Sequence, residues 1–387
     1  MDRIVLMDEL IPGLPEEVAL ECLVRVSYHL FGVAVSVSRL WKRELESPTF
    51  HRTRRSRKLT RTLAAFVQAE PPADAASADG PARKHCCTTS SSTLSYRLSV
   101  LDPLAGGEWR TLPPVPGLPR SRLPLFCQLA AVGRKLIVVG GWDPDTWAPS
   151  DAVYVYDFLT GRWRRGARMP GPRRSFFACS AGGGTASATV FVAGGHDEEK
   201  NALRSAMAYD AEADEWAPLP DMAVERDECR GAFLNGGFHV VGGYPTDRQG
   251  QFCKSAETFD VATWRWGAVE EDRLEDATCP MTCVDDVDGG EGRLYFVRSG
   301  HVVVEECGKW KEVAEVPEDA AVSTQLMTWQ GKLLLVGSGS DGGGRVAYLL
   351  EVASDVDDGK KSKLTWHRME VPEEYSGHVH AACCLEI

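Results

Sequence analysis

An all-β fold, a propeller of six four-stranded blades behind a small α-helical segment, is what three features of this sequence predict. The first is a set of six tryptophans, Trp109, Trp163, Trp216, Trp266, Trp310 and Trp366, separated by 54, 53, 50, 44 and 56 residues. The second is a Gly-Gly pair closing an apolar run at Gly141, Gly195 and Gly243. Each pair is followed by an aromatic-Asp pair, Tyr156-Asp157, Tyr209-Asp210 or Phe259-Asp260, six residues before the next tryptophan. The third is a change of composition. Residues 1–61 hold 11 Lys or Arg and 8 Asp or Glu, a net +3, so the rest of the chain carries −15 of the total −12. A period of about 50 residues built from strand-like runs is the pattern of a propeller or solenoid, in which neighbouring units cover each other.

The elements of one repeat follow in order. Leu136 to Gly141 and its flanks form a near-continuous apolar run, as expected of a strand covered on both faces. The glycine pair then permits positive φ and close backbone approach. Ala152 to Tyr156 reads as a third strand, and Asp157 to Gly161 as a tight turn into a fourth strand bearing Trp163. The tyrosines and tryptophans are read as interblade packing, and none of the six tryptophans is assigned to a ligand. Five blades are continuous, at 123–170, 173–222, 226–270, 277–316 and 320–372. The fourth and fifth are degenerate, with Arg298-Ser299-Gly300 and Val336-Gly337-Ser338 in place of the glycine pairs. The sixth is shared between the ends: Leu94 to Asp102 and Glu108 to Leu112 outside, His378 to Ile387 innermost, and Leu63 to Gln68 as second strand. Such closure removes open sheet edges. These marks together resemble the kelch repeat, whose units are propeller blades.

Residues 1–55 form the helical segment and 56–387 the propeller, with a flexible loop at 70–93 rich in Pro, Ala, Ser and Thr. Pro15 with Glu16 and Glu17 is a helix start, because proline loses no hydrogen bond there and the acids complement the helix dipole. Leu20, Leu23 and Val24 share one face; a second helical pattern runs through Ala34, Val37 and Trp41 and ends at Ser47-Pro48. A segment this short cannot bury a large core alone. Leu14-Pro15 through Val26, then Val37 to Trp41 and Glu46 to Phe50, resemble an F-box, with Ser27 where a proline is common.

The combined resemblance is to the F-box/kelch-repeat proteins of plants. Residues 140–179, 193–210 and 240–252 are similar to the subgroup that targets phenylalanine ammonia-lyase, and type-B response regulators of cytokinin signalling, for ubiquitin-dependent degradation. The resemblance implies a substrate-recognition subunit of a Skp–cullin–F-box ubiquitin ligase, with no catalytic residues of its own. It further implies that Leu14, Pro15, Leu20, Leu23 and Trp41 form or support the interface with a Skp-type adaptor, and through it a cullin. A non-degradative kelch scaffold and a propeller oxidase are the rival readings.

Composition narrows the choice. No run of about 20 apolar residues is present, and the N-terminus lacks a signal-peptide pattern. An intracellular, cytoplasmic protein is expected, and its 12 scattered cysteines read as reduced thiols. The basic run His51 to Lys58 reads equally as an import signal, leaving a nuclear pool open, and as a solvated connector. Cys279 and Cys283 have the wrong spacing for a zinc site, and no nucleophile elbow, phosphate loop or HExxH accompanies His196, His378 or His380, so no metal or cofactor is expected. The acidic propeller argues against nucleic acid.

Blade topology gives the recruiting surface. The second-to-third strand loops and the interblade connections emerge on one face, and the loops 142–151, 196–205 and 244–255 are long. They present Trp142, Asp143, Trp147, His196, Asn201, Arg204 and Tyr244, joined by Arg120, Arg122, Arg173, Arg174 and Arg226 from the connections. Aromatic and arginine anchors dominate many interfaces. Salt bridging to loop acids is the competing role for Arg173, Arg174 and Arg226.

Overall fold

The computed structural model describes residues 9–70, 95–104, 106–118, 123–280, 282, 284–286, 292–339, 344–351 and 364–387. Those residues form six four-stranded antiparallel sheets and four α-helices. Each sheet is one blade. In the first, Gln128–Val132, Lys135–Val139, Val153–Asp157 and Arg162–Arg165 lie side by side in chain order. Blades two to five repeat this over 178–219, 230–266, 284–315 and 322–369. The first strands of successive blades neighbour one another around the ring and so line the central axis.

The sixth blade joins the two ends of the propeller segment. Its order is Val379–Glu386, Thr62–Ala69, Tyr96–Asp102, Glu108–Thr111, with Ala64 paired to Cys384 on one side and to Leu101 on the other. Gln68, fully buried in its second strand, donates through Nε2 to the carbonyls of Tyr375 and Gly377 and accepts from Ser99 Oγ at 2.9 Å. The loop expected at 70–93 lies outside the described residues from 71 to 94.

The sequence periodicity has a physical cause at each mark. Every periodic tryptophan donates its indole N–H to a backbone carbonyl at the exit of the preceding blade. The pairs are Trp163 to Pro113 (2.7 Å), Trp216 to Ala167 (2.9 Å), Trp266 to Pro220 (2.6 Å), Trp310 to Arg273 (3.0 Å), Trp366 to Glu315 (2.7 Å) and Trp109 to Glu370 (3.3 Å). The six bonds run once around the ring and close it. The aspartate of each aromatic-Asp pair caps the following turn: Asp210 Oδ1 accepts from the N–H groups of Glu212 and Ala213 at 2.8 and 2.9 Å. Gly195 has φ +80°, and a Cβ there would lie 2.3 Å from the Ser175 carbonyl oxygen, so the interblade connection can pass only over glycine.

The helices are α1 (Glu16–Val24), α2 (Phe31–Val37), α3 (Arg39–Glu46) and α4 (Pro48–Ser56). The single pattern expected through Trp41 is two helices, broken at Ser38, whose hydroxyl caps α3 by accepting from the Trp41 N–H at 3.1 Å. Ser47-Pro48 ends α3 and also begins α4, with Ser47 Oγ accepting from the Phe50 N–H at 3.0 Å and proline in the first turn.

This module buries its apolar face on the propeller. Leu23, Val24, Phe31, Leu45 and Phe50 share one cluster with Leu63, Leu136, Tyr156, Phe158 and Leu159. Arg134, in the turn between the first two strands of blade one, donates to the Leu45 carbonyl at 3.0 Å. A Cβ on Gly32 would lie 3.1 Å from the Thr160 carbonyl oxygen, in the turn between the third and fourth strands. Both turns belong to the face opposite the long second-to-third strand loops. The helices and the loops therefore occupy opposite faces of one propeller.

Candidate functional site

On the helical face, the expected adaptor residues divide by exposure. Leu14 and Pro15 are exposed, Leu20 is half-buried, and Leu23 is completely buried. Leu23 packs toward the propeller and supports the module from inside. Trp41 is half-buried, and its indole donates to the Leu10 carbonyl at 2.6 Å, pinning the chain that enters α1. Sequence reasoning missed four surface residues. Of the nine large apolar side chains exposed among the described residues, five lie on this module: Leu14, Val18, Leu30, Val33 and Val37. Leu30, Val33 and Val37 stand at i, i+3 and i+7, a spacing that was legible as a stripe but not assignable to core or surface.

The basic run, read as an import signal or a solvated connector, is exposed at Arg52, Arg55, Arg57 and Lys58 but not throughout. It forms the latter part of α4 and the turn after it. Arg54 is buried, and its guanidinium donates to the carbonyls of Val24, Val26 and Leu59 at 2.6, 2.8 and 2.8 Å. Burial pulls its pKa down to about 10. Arg55 Nε and His51 Nε2 lie 2.8 and 3.4 Å from the Glu386 carboxylate, tying α4 to the last strand.

On the loop face, two expected partner-binding arginines are structural. Arg174 is fully buried; its Nη1 donates to the carbonyls of Gly194 and Ser205 at 3.2 and 2.9 Å, and its Nη2 to Ser205 Oγ at 2.8 Å. Arg226, equally buried, repeats the arrangement one blade on, with Gly242 O at 2.8 Å, Ser255 O at 3.0 Å and Ser255 Oγ at 3.0 Å. It adds an ion pair to buried Glu257 at 3.4 Å. Neither can reach a partner. Each donates to carbonyls at the point where the glycine pair departs from the blade. Both arginines stand two residues before a residue with positive φ, Phe176 or Glu228, in equivalent connections, a backbone feature that the sequence does not display. Arg173 is about half exposed and 3.8 Å from Glu198. Arg120 and Arg122 lie outside the described residues.

His196 and Tyr244 are also buried. His196 Nδ1 lies 2.9 Å from both carboxylate oxygens of Asp227, and the Tyr244 hydroxyl donates to Glu228 at 2.9 Å. Asp143 Oδ1 accepts from the N–H groups of Asp145 and Thr146, shaping its own loop. Exposed residues of the set are Asp143, Trp147, Arg173, Asn201 and Arg204, with Trp142 half-buried.

These loops meet in an aromatic cluster that includes residues missed in the sequence. Trp142 lies 5.5 Å from Phe126, 5.7 Å from Phe176 and 6.0 Å from Trp147, centroid to centroid. Phe126 and Phe176 have φ of +59° and +52° and occupy equivalent interblade positions, which turns their rings toward the loop face. Lys200 Nζ lies over the Trp142 ring, 4.4 Å from its centroid, and 2.9 Å from His196 Nε2.

Comparison with known proteins assigns the family. The kelch motif matches residues 125–170 and 173–223, the first two blades. The chain is 43% identical over 386 residues to the Arabidopsis thaliana F-box/kelch-repeat protein At1g80440, covering 98% of this chain and all of that protein. The chain belongs to the plant F-box/kelch-repeat family. A second Arabidopsis thaliana F-box/kelch-repeat protein, At1g15670, is 42% identical over 384 residues, covering 98% of this chain and all of the relative. The solved structure of YjhT, at 14% identity and a TM-score of 0.53, covers 70% of this chain and 91% of its own, and shows the propeller fold alone.

In this F-box/kelch-repeat chain the central channel holds a cavity of about 420 Å³ lined in part by Gln128, Cys179, Arg230, Thr328 and Cys383. Burial pushes the Cys179 thiol up to about 12 and Cys383 well above the usual range, which keeps both protonated and poorly nucleophilic. Among the described residues, no three His, Cys, Asp or Glu side chains are gathered to hold a metal ion.

Proposed function

We propose that this chain is the substrate-recruiting subunit of a Skp–cullin–F-box ubiquitin ligase. The observation that carries the reading is the separation of two surfaces on one body. An apolar surface on the helical module, Leu14, Val18, Leu30, Val33 and Val37, lies on one face. A loop face carrying Trp142, Trp147, Asn201 and Arg204 lies on the other. Exposed valines and leucines on a module otherwise seated in a core are what a helical adaptor would cover. The aromatic loop cluster has the composition of an interface centre. Transfer of ubiquitin requires no catalytic group here; the chain has to hold a target at a fixed distance from the adaptor. The continuous core between helices and propeller supplies that rigidity.

Within this reading we propose phenylalanine ammonia-lyase as a target, with type-B response regulators as further candidates, on the similarity of residues 140–179, 193–210 and 240–252 to the subgroup acting on them. Co-expression should shorten the lifetime of phenylalanine ammonia-lyase in a chase measurement, and proteasome inhibition should restore it. Unchanged lifetime together with no co-purification would remove this target.

A further inference from the structure

Trp142 carries a cation already. The Lys200 ammonium sits 4.4 Å from the centroid of the Trp142 ring and 2.9 Å from His196 Nε2. Because His196 Nδ1 faces Asp227 at 2.9 Å, its Nε2 is left as an acceptor for the ammonium. The loop holds the lysine there. Lys200 has φ +68°, a left-handed conformation that costs free energy for a residue with a Cβ. Asp197 stabilises the turn by accepting from the N–H groups of Glu199 and Asn201 at 3.0 and 2.8 Å, and from Asn201 Nδ2 at 3.1 Å. Yet Lys200 itself remains exposed.

The surroundings suit a cation and extend beyond what one lysine covers. Phe126, Phe176 and Trp147 all stand within 6.0 Å of Trp142, and Trp147 is 56% exposed. The loop 142–151 contains Asp143, Asp145 and Asp151 and no Lys, Arg or His, and 197–199 is Asp-Glu-Glu; of these acids, Asp151 faces Arg168 at 3.1 Å and Glu198 faces Arg173 at 3.8 Å. A cation over an indole face is attracted by the ring quadrupole, more strongly as water is excluded. Covering this patch with a partner would exclude water.

We propose that the Trp142 face, walled by Phe126, Phe176 and Trp147, is a subsite for an arginine or lysine side chain of the recruited protein, and that Lys200 occupies it until the partner displaces it. The inference rests on the recruiting role proposed above and adds the chemistry of the bound segment: a basic residue between apolar neighbours. Lys200 acts as an internal competitor. It lowers affinity for weak basic ligands in proportion to its occupancy of the ring.

The test follows the Trp142 indole N–H resonance of the full chain, labelled with ¹⁵N-tryptophan and assigned by Trp142→Phe. The probes are N-acetyl-arginine methylamide and its neutral analogue N-acetyl-citrulline methylamide. The arginine probe should shift the resonance saturably and the citrulline probe should not. Lys200→Ala should bind the arginine probe about two- to fivefold more tightly, the range expected for losing one exposed cation–π competitor. In tryptophan fluorescence titrations, Trp142→Leu should abolish the saturable response and Trp142→Phe should retain a weaker one. Equal responses to both probes, or unchanged affinity in Lys200→Ala, would overturn the proposal. Adaptor capture by the same preparation separates the two readings. Capture without an arginine response removes only this subsite, and an arginine response without capture removes the ligase role and leaves the subsite standing.

Discussion

Arg226 and Arg174 show how a charged residue becomes part of a blade. Where the chain leaves the second strand over a glycine pair, the Arg226 guanidinium donates to the carbonyls of Gly242 and Ser255, the latter also accepting from the Gly242 N–H at 2.9 Å. Glu257 offsets the buried charge and accepts in addition from the N–H groups of Ala223 and Val224 at 2.6 and 3.1 Å. Arg226→Ala should therefore destabilise the protein by about 3–5 kcal/mol, because it leaves a buried carboxylate without its cation. Thermal or denaturant unfolding of the variant measures this. A loss below 1 kcal/mol, the order of a single exposed ion pair, would mean that the pair is solvated.

His380 offers a pH signature at the same scale. It is buried on the innermost strand of the sixth blade, ringed by Phe126 and Tyr96 at 5.1 and 6.4 Å. Burial, with a smaller contribution from neighbouring His378 and Arg230, lowers its pKa to about 4. The unfolded chain binds a proton near the usual 6.5 and the folded chain does not until about 4, so stability falls as pH drops through that window. The full effect is about 3 kcal/mol by linkage. His380→Phe should flatten the stability profile between pH 6.5 and 4; a profile as steep as that of the unsubstituted chain would assign the acid sensitivity elsewhere.

At the scale of elements, the ring is closed twice, by the indole bond from Trp109 to Glu370 and by the last strand lying against Thr62–Ala69. Gln68 links the second strand to the segment that enters the last one, through Tyr375 and Gly377. Gln68→Leu keeps the volume and leaves those carbonyls and Ser99 without a partner, at a cost of about 1–3 kcal/mol. Hydrogen exchange should then rise first in Val379–Glu386 and its neighbour. Uniform protection across all six blades would show that the ring does not open there.

Much of this level was legible in the sequence. The tryptophan period gave the blade number, the glycine pairs and turn aspartates marked the three well-formed blades, and the strands left over at the two ends made the sixth. What was not legible depends on contacts far apart in sequence. Arg173 and Arg174 are adjacent and chemically identical, yet one is half exposed and the other fully buried, a difference set by which way the connection turns. Phe126 and Phe176 were not singled out in the sequence, and only their positive φ brings them to Trp142. Lys200 carried no mark in the sequence at all.

For the whole molecule, the decisive feature is that the helical module is seated on the propeller. Leu23, Phe31 and Phe50 bury themselves against blades one and six, so removing the module would uncover Leu136, Phe158 and Leu159. Deleting residues 1–50 is consequently a poor way to separate docking from recruitment. Surface variants are the better instrument. Val33 and Val37 are 63% and 57% exposed, and burying each against a partner contributes about 1–2 kcal/mol.

The most direct measurement is co-purification of a Skp-type adaptor with the full chain, the double variant Val33→Asp/Val37→Asp, and the loop variant Trp147→Ala. If helices dock and loops recruit, the helical variant should lose adaptor affinity by about 30-fold or more, the equivalent of some 2 kcal/mol, while keeping its unfolding temperature. The loop variant should bind the adaptor as the unsubstituted chain does. Adaptor binding that survives the two aspartates, or that disappears with Trp147, would contradict the division of labour between the two faces.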